Sequence, residues 1–441
     1  MASSITLAAP VDQRRELEDE RYRALRRLWK LTTLDRLRAC QHHGVLPGGI
    51  TAYVTPTPNG PVAGFKGLAT CGSVWSCPVC SHKIAQRRAN ELADGIRRWT
   101  DDGGRVALVT LTMRHRGRDA ASHDLGLLWD SLSKAWQSVL MGDWSQDQER
   151  YGSPVTRVIT HGRRKGEKVT ENRIGWCRAV EGTHGANGWH MHVHAMLFLR
   201  PDSDGQDPDL DGLAKSMFQR WRTRLVGLGL DAPIANRGGL DAKWITADDT
   251  TGVDETVLGG YFTKNTYDGA LRAAMEATRG QHKKGRAGGR TPFQLLASVV
   301  HHLDDADDVL AQRRAEKDLG LWYQWETESK GRRQLTWARG WRDLLGLNDE
   351  LTDEEIAAED LTTADTTSLH IMSSDDWITV RRDIPAFKRQ MIDYYLDHLA
   401  PLFQADPTAH DRWEASFEQF RSSEDRIASF STKVERRTRL N

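Results

Sequence analysis

The segment WHMHVHAMLFL, at residues 189–199, constrains the fold more than any other part of the sequence. His190, His192 and His194 occupy alternate positions, with apolar residues between them. In a β-strand such residues share one face, and the apolar side chains enter a core on the other. Three imidazoles about 7 Å apart would repel one another if protonated, whereas a metal ion binds neutral imidazoles that converge. The segment predicts a strand with metal ligands on one face, and a strand of hydrogen-bonded histidines is the alternative.

A carboxylate at the end of the preceding strand-like run extends this prediction. Glu181 closes the run at 174–181, and the turn THGANG that follows is short. A hairpin would bring Glu181 back toward the histidines. Imidazoles combined with a carboxylate suit Mn²⁺ or Mg²⁺ in the cell, although zinc or cobalt would also fit. The sequence does not choose between these ions.

The other periodicities predict an α+β chain, in which a central antiparallel sheet is flanked by helices. VALVTLT, from Val106, is short and β-branched, and a second strand-like run lies at 155–160. Residues 44–68, rich in Gly, Pro and Thr, are interpreted as a loop. Helical spacing of apolar residues occurs at 11–38, 83–99, 127–140, 211–228 and 257–278.

A length of 441 residues predicts more than one folded unit. We divide the chain into a basic helical region with a zinc knuckle at 1–100, a catalytic domain at 101–278, a basic loop with a Trp-rich part at 279–347, and an acidic linker with a helical tail at 348–441. Charge supports this division. Residues 1–100 contain 15 Lys and Arg against 8 Asp and Glu, whereas residues 349–380 contain ten acidic residues and no Lys or Arg.

Four of the five cysteines form a pattern typical of a metal site. Cys71, Cys77 and Cys80 give C-x5-C-x2-C, and the CPVC piece lets two thiolates bind one tetrahedral ion. The fourth ligand is Cys40, with His42, His43 or His82 as substitutes. We predict structural Zn²⁺, and buried thiols without a metal are the alternative.

Basic residues near these features are candidates for phosphate contacts. The zinc knuckle would fix an arginine-rich helix, and two polar basic loops lie at 161–168 and 279–290. The predicted DNA-binding residues are Arg87, Arg88, Arg163, Arg164, Lys165, Lys283, Lys284 and Arg286. The chain has no run of about 18 apolar residues and no secretory signal, so we expect a soluble, cytoplasmic protein without membrane contact.

A candidate nucleophile occurs in TVLGGYFTKNTYDG. Tyr261 and Lys264 are three residues apart, which on a helix puts them on one face. An ammonium group and a nearby metal both favour the phenolate, which makes tyrosine a credible attacker. Tyr267 falls on a different side and is the weaker candidate. Y-x-x-K is common, and a plain surface pair is the alternative.

Together these segments resemble the HUH endonucleases, and specifically the plasmid Rep proteins that start rolling-circle replication with a single tyrosine. The family's three motifs correspond, in order, to VTLT at 109–112, HMHVH at 190–194 and YFTK at 261–264. Met191 replaces a proline often found in the histidine motif, but it points away from the metal. CGSVWSCPVC and GRRQLTWARG are similar to an actinobacterial-type subgroup, so the resemblance covers roughly residues 36–347.

The resemblance implies an HUH endonuclease fold, with His192 and His194 as metal ligands and His190 or Glu181 as the third. It makes Tyr261 the nucleophile and Lys264 its activating neighbour, in an enzyme that nicks one strand at a plasmid origin. The 3′-hydroxyl would prime a DNA polymerase, and a host helicase would be a partner. In relatives an acid precedes the tyrosine by one helical turn; here that position is Val257, which leaves termination open.

Two alternative functions fit the same sequence features. A conjugative relaxase or a single-tyrosine transposase would share the chemistry, and a non-catalytic zinc-dependent DNA-binding regulator would use the histidines structurally. The sequence does not indicate the origin that is recognised or the oligomeric state.

Overall fold

The computed structural model describes residues 11–58, 60–114, 124–158, 163, 165–245, 289–305, 307–360, 362–406 and 408–422. These residues divide into two compact units. The terminal unit contains residues 11–72 and 357–422, and the central unit contains residues 73–245 and 289–356. Among the residues described, no helix is both long and apolar enough to cross a membrane.

The secondary structure is mixed, with helices and antiparallel strands in both units. The described strands are β1 (Ile50–Thr55), β2 (Val62–Lys66), β3 (Arg105–Thr112), β4 (Ser153–Val158), β5 (Lys168–Arg173), β6 (Gly175–Gly185), β7 (Gly188–Leu199), β8 (Leu240–Trp244), β9 (Leu335–Trp337) and β10 (Thr367–Met372). The described helices are α1 (Val11–Leu31), α2 (Asp35–Ala39), α3 (Pro78–Asp101), α4 (Leu125–Val139), α5 (Trp144–Tyr151), α6 (Leu210–Gly227), α7 (Pro292–His302), α8 (Val309–Ser329), α9 (Trp341–Leu344), α10 (Asp353–Ala358), α11 (Ser374–Val380), α12 (Ile384–Tyr394), α13 (Ala400–Ala405) and α14 (Ala409–Ser422). A single 3₁₀ turn (Ala235–Arg237) precedes β8, and a π-helical turn (Tyr395–Leu399) joins α12 to α13.

In the terminal unit, strands from the two ends of the chain form one sheet. Its order is β10-β1-β2, and both pairings are antiparallel. Trp377 on α11 donates its indole hydrogen to the carbonyl oxygen of Gln41 at 3.1 Å, and its ring lies 4.9 Å from that of Phe65 on β2. Lys388 on α12 pairs with Glu18 on α1 at 2.7 Å. Sequence-distant elements therefore share one small core.

In the central unit, a five-stranded sheet has the order β8-β3-β7-β6-β9, and every pairing is antiparallel. The hairpin formed by β6 and β7 is its longest ladder and runs from Gly175↔Phe198 to Gly185↔Gly188. β4 and β5 form a separate two-stranded sheet. The histidine strand β7 thus lies in the middle of the main sheet, between β3 and β6.

Aromatic side chains cover both faces of this main sheet. On one face, Trp325 of α8 stacks on Trp189 of β7 with 5.4 Å between the ring centroids. Gly182 of β6 lies beneath Trp325, because a Cβ atom there would come within 2.7 Å of the indole and 2.8 Å of the Met191 sulfur. On the other face, the ring centroids of Trp99 on α3 and Phe198 on β7 are 6.2 Å apart. Phe198 shares this face with the β7 histidines.

Several strands and helices predicted from the sequence are confirmed by the structure. The predicted strands at 106–112, 174–181 and 189–199 correspond to β3, β6 and β7, and the predicted helices at 83–99, 127–140 and 211–228 correspond to α3, α4 and α6. The antiparallel α+β class is confirmed, whereas the endonuclease fold type stays a prediction. The helix predicted at 257–278 lies outside the described residues, and the four-part domain division also stays a prediction.

Three interpretations of the sequence were wrong in detail. Residues 44–68 are not a loop, because β1 and β2 lie within them and pair with each other. The helix predicted at 11–38 ends at Leu31 and is followed by the short α2. The strand predicted at 155–160, which is β4 at Ser153–Val158, pairs with β5 outside the main sheet. The acidic region after 348 also contains a strand, β10, which its composition did not indicate.

Candidate metal centre

The histidines of β7 share one face of the sheet, as their alternation predicts. Met191, Val193 and Ala195 are buried completely on the opposite face. The ring centroids of His190 and His192 are 5.2 Å apart, and those of His192 and His194 are 5.1 Å apart. The three imidazoles therefore form a continuous row.

The register of the hairpin brings a carboxylate to this row. Glu181 on β6 lies directly opposite His192 on β7, so the two side chains project from the same face. Glu181 Oε2 lies 2.9 Å from His194 Nε2 and 3.4 Å from His192 Nε2. One carboxylate oxygen thus faces two imidazole nitrogens.

These three residues form a group that could hold a metal ion. Their ligand atoms all lie within 4.8 Å of one another. A carboxylate oxygen with two imidazole nitrogens is a donor set that divalent ions such as Mn²⁺ and Zn²⁺ accept. His190 is outside the group, although its ring contacts that of His192. Of the two candidates for a third ligand, the geometry therefore brings Glu181, rather than His190, next to His192 and His194.

Thr110, on the neighbouring strand β3, contacts the far side of the His194 ring. It lies opposite His194 in the β3–β7 register, and its Oγ1 is 3.0 Å from His194 Nδ1. When Nε2 is the metal-binding nitrogen, Nδ1 carries the proton and donates a hydrogen bond to Oγ1, which holds the ring in its plane. Sequence position alone does not place Thr110 beside His194, because the order of the strands is needed for that.

Burial falls gradually along the histidine face. Met196 and Phe198 are fully buried, the side chain of His194 is 8% exposed and that of His192 is 15% exposed. Among the described residues, the metal group thus lies where the aromatic cover of the sheet ends. A partly exposed ligand set can leave coordination positions for a substrate, as catalytic sites require.

The cysteines form a second group that could hold a metal ion. Cys40, Cys71, Cys77 and Cys80 are all buried, and their sulfur atoms lie within 4.8 Å of one another. Cys77 caps the N-terminus of α3, where its sulfur accepts a hydrogen bond from the Cys80 amide at 3.4 Å. This agrees with Cys40 as the fourth ligand. The identity of the metal stays a prediction.

The alternative ligands considered for that group lie outside it. His42, His43 and His82 are not members of the four-sulfur cluster. His42 is contacted instead by Arg381, whose Nη1 is 3.0 Å from its Nδ1, and by the ring of Trp29 at 4.8 Å. Burial, followed by the charge of Arg381, lowers the pKa of His42 below its usual value.

The arginines predicted to bind DNA on α3 differ from each other. Arg87 has a side chain that is 39% exposed, and it pairs with Glu91 at 3.3 Å. Arg88 is 6% exposed, and its guanidinium pairs with Glu91 at 3.4 Å and with Asp353 at 3.4 Å. These contacts hold Arg88 in the interior of the central unit, so its predicted phosphate contact finds no support in this arrangement.

The remaining predicted residues fall into two sets. Arg163 and Lys165 are exposed, as a phosphate contact requires. The other predicted residues, among them both members of the nucleophile pair, lie outside the described residues: Arg164, Tyr261, Lys264, Lys283, Lys284 and Arg286. Their roles stay predictions.

Comparison with known proteins gives two relatives. The chain is 27% identical over 350 residues to "Protein rep" of Streptomyces lividans, a match that covers 72% of this chain and 73% of that protein. It is 32% identical over 154 residues to a "Neomycin resistance protein" of Streptomyces cyanogenus, which covers 32% of this chain and 33% of that protein. No family model matches the chain. No solved structure matches it either.

Proposed function

We propose that this chain is a Rep-type replication initiator, which nicks one strand of plasmid origin DNA and begins rolling-circle replication. The observation that carries the proposal is the group of Glu181, His192 and His194 on adjacent strands, with ligand atoms within 4.8 Å of one another. The similarity to Protein rep over most of both chains supports the biological setting. The motif YFTK supplies the candidate nucleophile.

The donor set fits a divalent metal ion. One carboxylate oxygen and two imidazole nitrogens suit Mn²⁺ or Mg²⁺ in the cell, and a set of three protein ligands leaves positions for a phosphate oxygen. Such an ion, when bound, withdraws charge from a non-bridging oxygen of the scissile phosphate. Thr110 keeps the Nε2 of His194 directed at the group, through its contact with Nδ1.

The proposed cleavage is a transesterification. The phenol of Tyr261 loses its proton to water, and the ammonium of Lys264 stabilises the phenolate. The phenolate oxygen then forms a bond to phosphorus while the bond between phosphorus and the 3′-oxygen breaks, and that oxygen takes a proton from solvent. The products are a 5′-phosphotyrosine and a free 3′-hydroxyl, which primes a DNA polymerase once a host helicase opens the duplex.

We propose structural Zn²⁺ for the cysteine group and origin DNA as the substrate. Four buried thiolates are a closed ligand set, typical of zinc that stabilises a fold. Arg163 and Lys165, in an exposed loop, are proposed contacts for the DNA backbone, together with Arg164, Lys283, Lys284 and Arg286 from the sequence.

A denaturing gel tests the nickase. The full chain is incubated with Mn²⁺ and single-stranded origin oligonucleotides labelled on either side of the expected nick. We expect a covalent protein–DNA band for wild type and none for Tyr261→Phe, which should still bind the oligonucleotide. Tyr267→Phe is the matched control and should form the adduct normally. An adduct in Tyr261→Phe would move the nucleophile to another residue.

Other outcomes separate the alternatives. A protein that shifts the oligonucleotide without cutting it, with or without Mn²⁺, would be a DNA-binding regulator. A protein that cuts plasmid transfer origins or transposon ends, and not its own replication origin, would be a relaxase or a transposase. Undiminished cleavage in EDTA would contradict the metal assignment.

A further inference from the structure

A cavity of about 270 Å³ lies in the central unit, apart from the metal centre. Trp144 of α5 and Trp176 of β6 line it together with Arg173 and Arg339. The remaining lining residues are apolar or neutral, and none of the described residues that line it is acidic. We call this the basic-aromatic cavity.

The two arginines of the cavity differ in whether an acidic side chain pairs with them. Arg173 lies 3.6 Å from Glu171, so part of its charge is already paired. Arg339 is exposed, and the structure gives it no ion pair within the described part of the chain. Arg339 is therefore available to an anionic ligand.

A third cation lies behind the cavity. Arg178 shares a face of β6 with Trp176, two residues away, and its guanidinium lies over the ring of Trp136 at 5.7 Å. Trp136 in turn contacts Trp176, with 5.3 Å between the ring centroids. The Nε and Nη1 atoms of Arg178 are buried and have no hydrogen-bond partner among the described residues.

This guanidinium keeps its charge at neutral pH. Burial lowers the pKa of Arg178 to about 10, which is still well above 7. A largely buried cation, with no carboxylate paired to it among the described residues, produces a positive potential in its surroundings, and that potential is screened less than at an exposed site. The cavity therefore combines indole surfaces with an excess of positive charge.

We propose that the basic-aromatic cavity binds one nucleotide of single-stranded DNA, with the base against Trp176 and Trp144 and the phosphate on Arg339. Aromatic surfaces accept any base, and cations at the rim accept the backbone, which is how single strands are held without sequence preference. The cavity volume is slightly below the range of roughly 300–1,000 Å³ for drug-sized ligands, and this suits a single nucleotide.

The site would be separate from the metal centre. Trp176 and Glu181 lie five residues apart on β6, about 17 Å along the strand, and on opposite faces of the sheet. The nucleotide in the cavity would thus be several positions from the scissile phosphate. The inference rests on the proposed function for its substrate, but it concerns binding and not cleavage.

Photocrosslinking in the full-length Tyr261→Phe protein tests the cavity without cleavage. Single-stranded oligothymidylates, each with 5-iodouracil at a different position, are bound and irradiated, and the crosslinked peptides are mapped by mass spectrometry. We expect crosslinks at Trp176 or Trp144. Crosslinks confined to other peptides would overturn the proposal, whether or not the wild-type protein forms the covalent adduct.

Variants in the same Tyr261→Phe background give a second measurement. Trp176→Leu should weaken oligothymidylate binding about 5- to 100-fold, since stacking on one base contributes that much. Arg339→Gln should lower the slope of log affinity against log salt by about one unit. Trp244→Leu and Arg333→Gln, which change residues outside the cavity lining, are the matched controls and should bind as the parent does.

The outcomes separate the two proposals. Cavity crosslinks in Tyr261→Phe, combined with a wild-type chain that forms no adduct with Mn²⁺, would support the binding site and contradict the nickase. If Trp176→Leu and Arg339→Gln both bind like their controls, the cavity is not a DNA site even when the adduct forms. If Trp176→Leu does not fold, the crosslink map of the parent decides.

Discussion

One face of β7 has two unlike halves. In the first half, His192 and His194 face Glu181, and their side chains are 15% and 8% exposed. In the second half, Met196 and Phe198 are fully buried, and the Phe198 ring lies 5.9 Å from that of Trp337. The two halves belong to one strand and one ladder. Their difference therefore comes from their side chains and from what covers them, and not from the backbone.

The sheet gains stability in the aromatic half of β7 and a candidate metal site in the histidine half. Burial of aromatic side chains stabilises the second half by several kcal/mol in total. The first half places a carboxylate beside two imidazoles, an arrangement that contributes little to stability without a ligand. We therefore expect substitutions in the two halves to have opposite signatures, one in function and one in folding.

The largest expected effect is on the histidine half. His192→Ala together with His194→Ala should lower Mn²⁺-dependent cleavage more than about 1,000-fold, because two of the three ligands are lost. The adduct yield on a denaturing gel measures the loss of cleavage, and a Mn²⁺ titration measures the loss of metal affinity. The free energy of unfolding, from urea denaturation, should fall by about 1–3 kcal/mol, because Glu181 loses its contacts with both imidazoles.

His301→Ala is the control for this double variant, since it removes an exposed imidazole from α7, outside the metal group. It should cleave like wild type. Full activity in the double variant would show that the histidine half is not the metal centre.

The next effect is on the aromatic half. Phe198→Ala should lower the free energy of unfolding by about 3–5 kcal/mol, because it removes a ring that packs against Trp99, Trp337 and Trp341. Urea denaturation measures the loss, and Mn²⁺ affinity at low temperature should be close to that of wild type. A loss of Mn²⁺ binding as large as that of the double histidine variant would show that the two halves are not independent.

The smallest effect concerns the contact behind His194. Thr110→Val removes the oxygen that meets Nδ1 and should weaken Mn²⁺ binding about 10- to 100-fold, with little change in stability. Isothermal titration calorimetry measures the affinity. Thr112→Val is matched to it, because Thr112 lies opposite His192 on the same strand and face. Equal effects of the two variants would refute a specific role for Thr110.

The sequence was most informative where one pattern repeats with the strand period. The alternation at 189–199 predicted both the strand β7 and the shared face of its histidines. The short turn after Glu181 predicted the hairpin that brings this carboxylate to His192. These features depend on residues close in sequence, so local patterns suffice to predict them.

The rest depended on contacts between distant segments. Thr110 lies beside His194 only because β3 is the neighbour of β7, and strand order has no local signal. Arg88 looked like part of a basic surface, but Asp353 pairs with it from 265 residues away. β1 and β10 lie far apart in the sequence and pair with each other. The composition of neither segment indicates a strand.

Gly182 has a consequence for the metal centre, although it lies on the opposite face of β6. A Cβ atom at this position would come within 2.7 Å of the Trp325 ring and 2.8 Å of the Met191 sulfur, so a substitution requires β6 or the buried side chains behind it to shift. Where β6 shifts, the carboxylate of Glu181, one residue earlier, moves with the strand. The position of a metal ligand thus depends on the absence of a side chain at the next residue. The packing of Trp325 against Gly182 helps to set the distance from the Glu181 carboxylate to the two imidazoles.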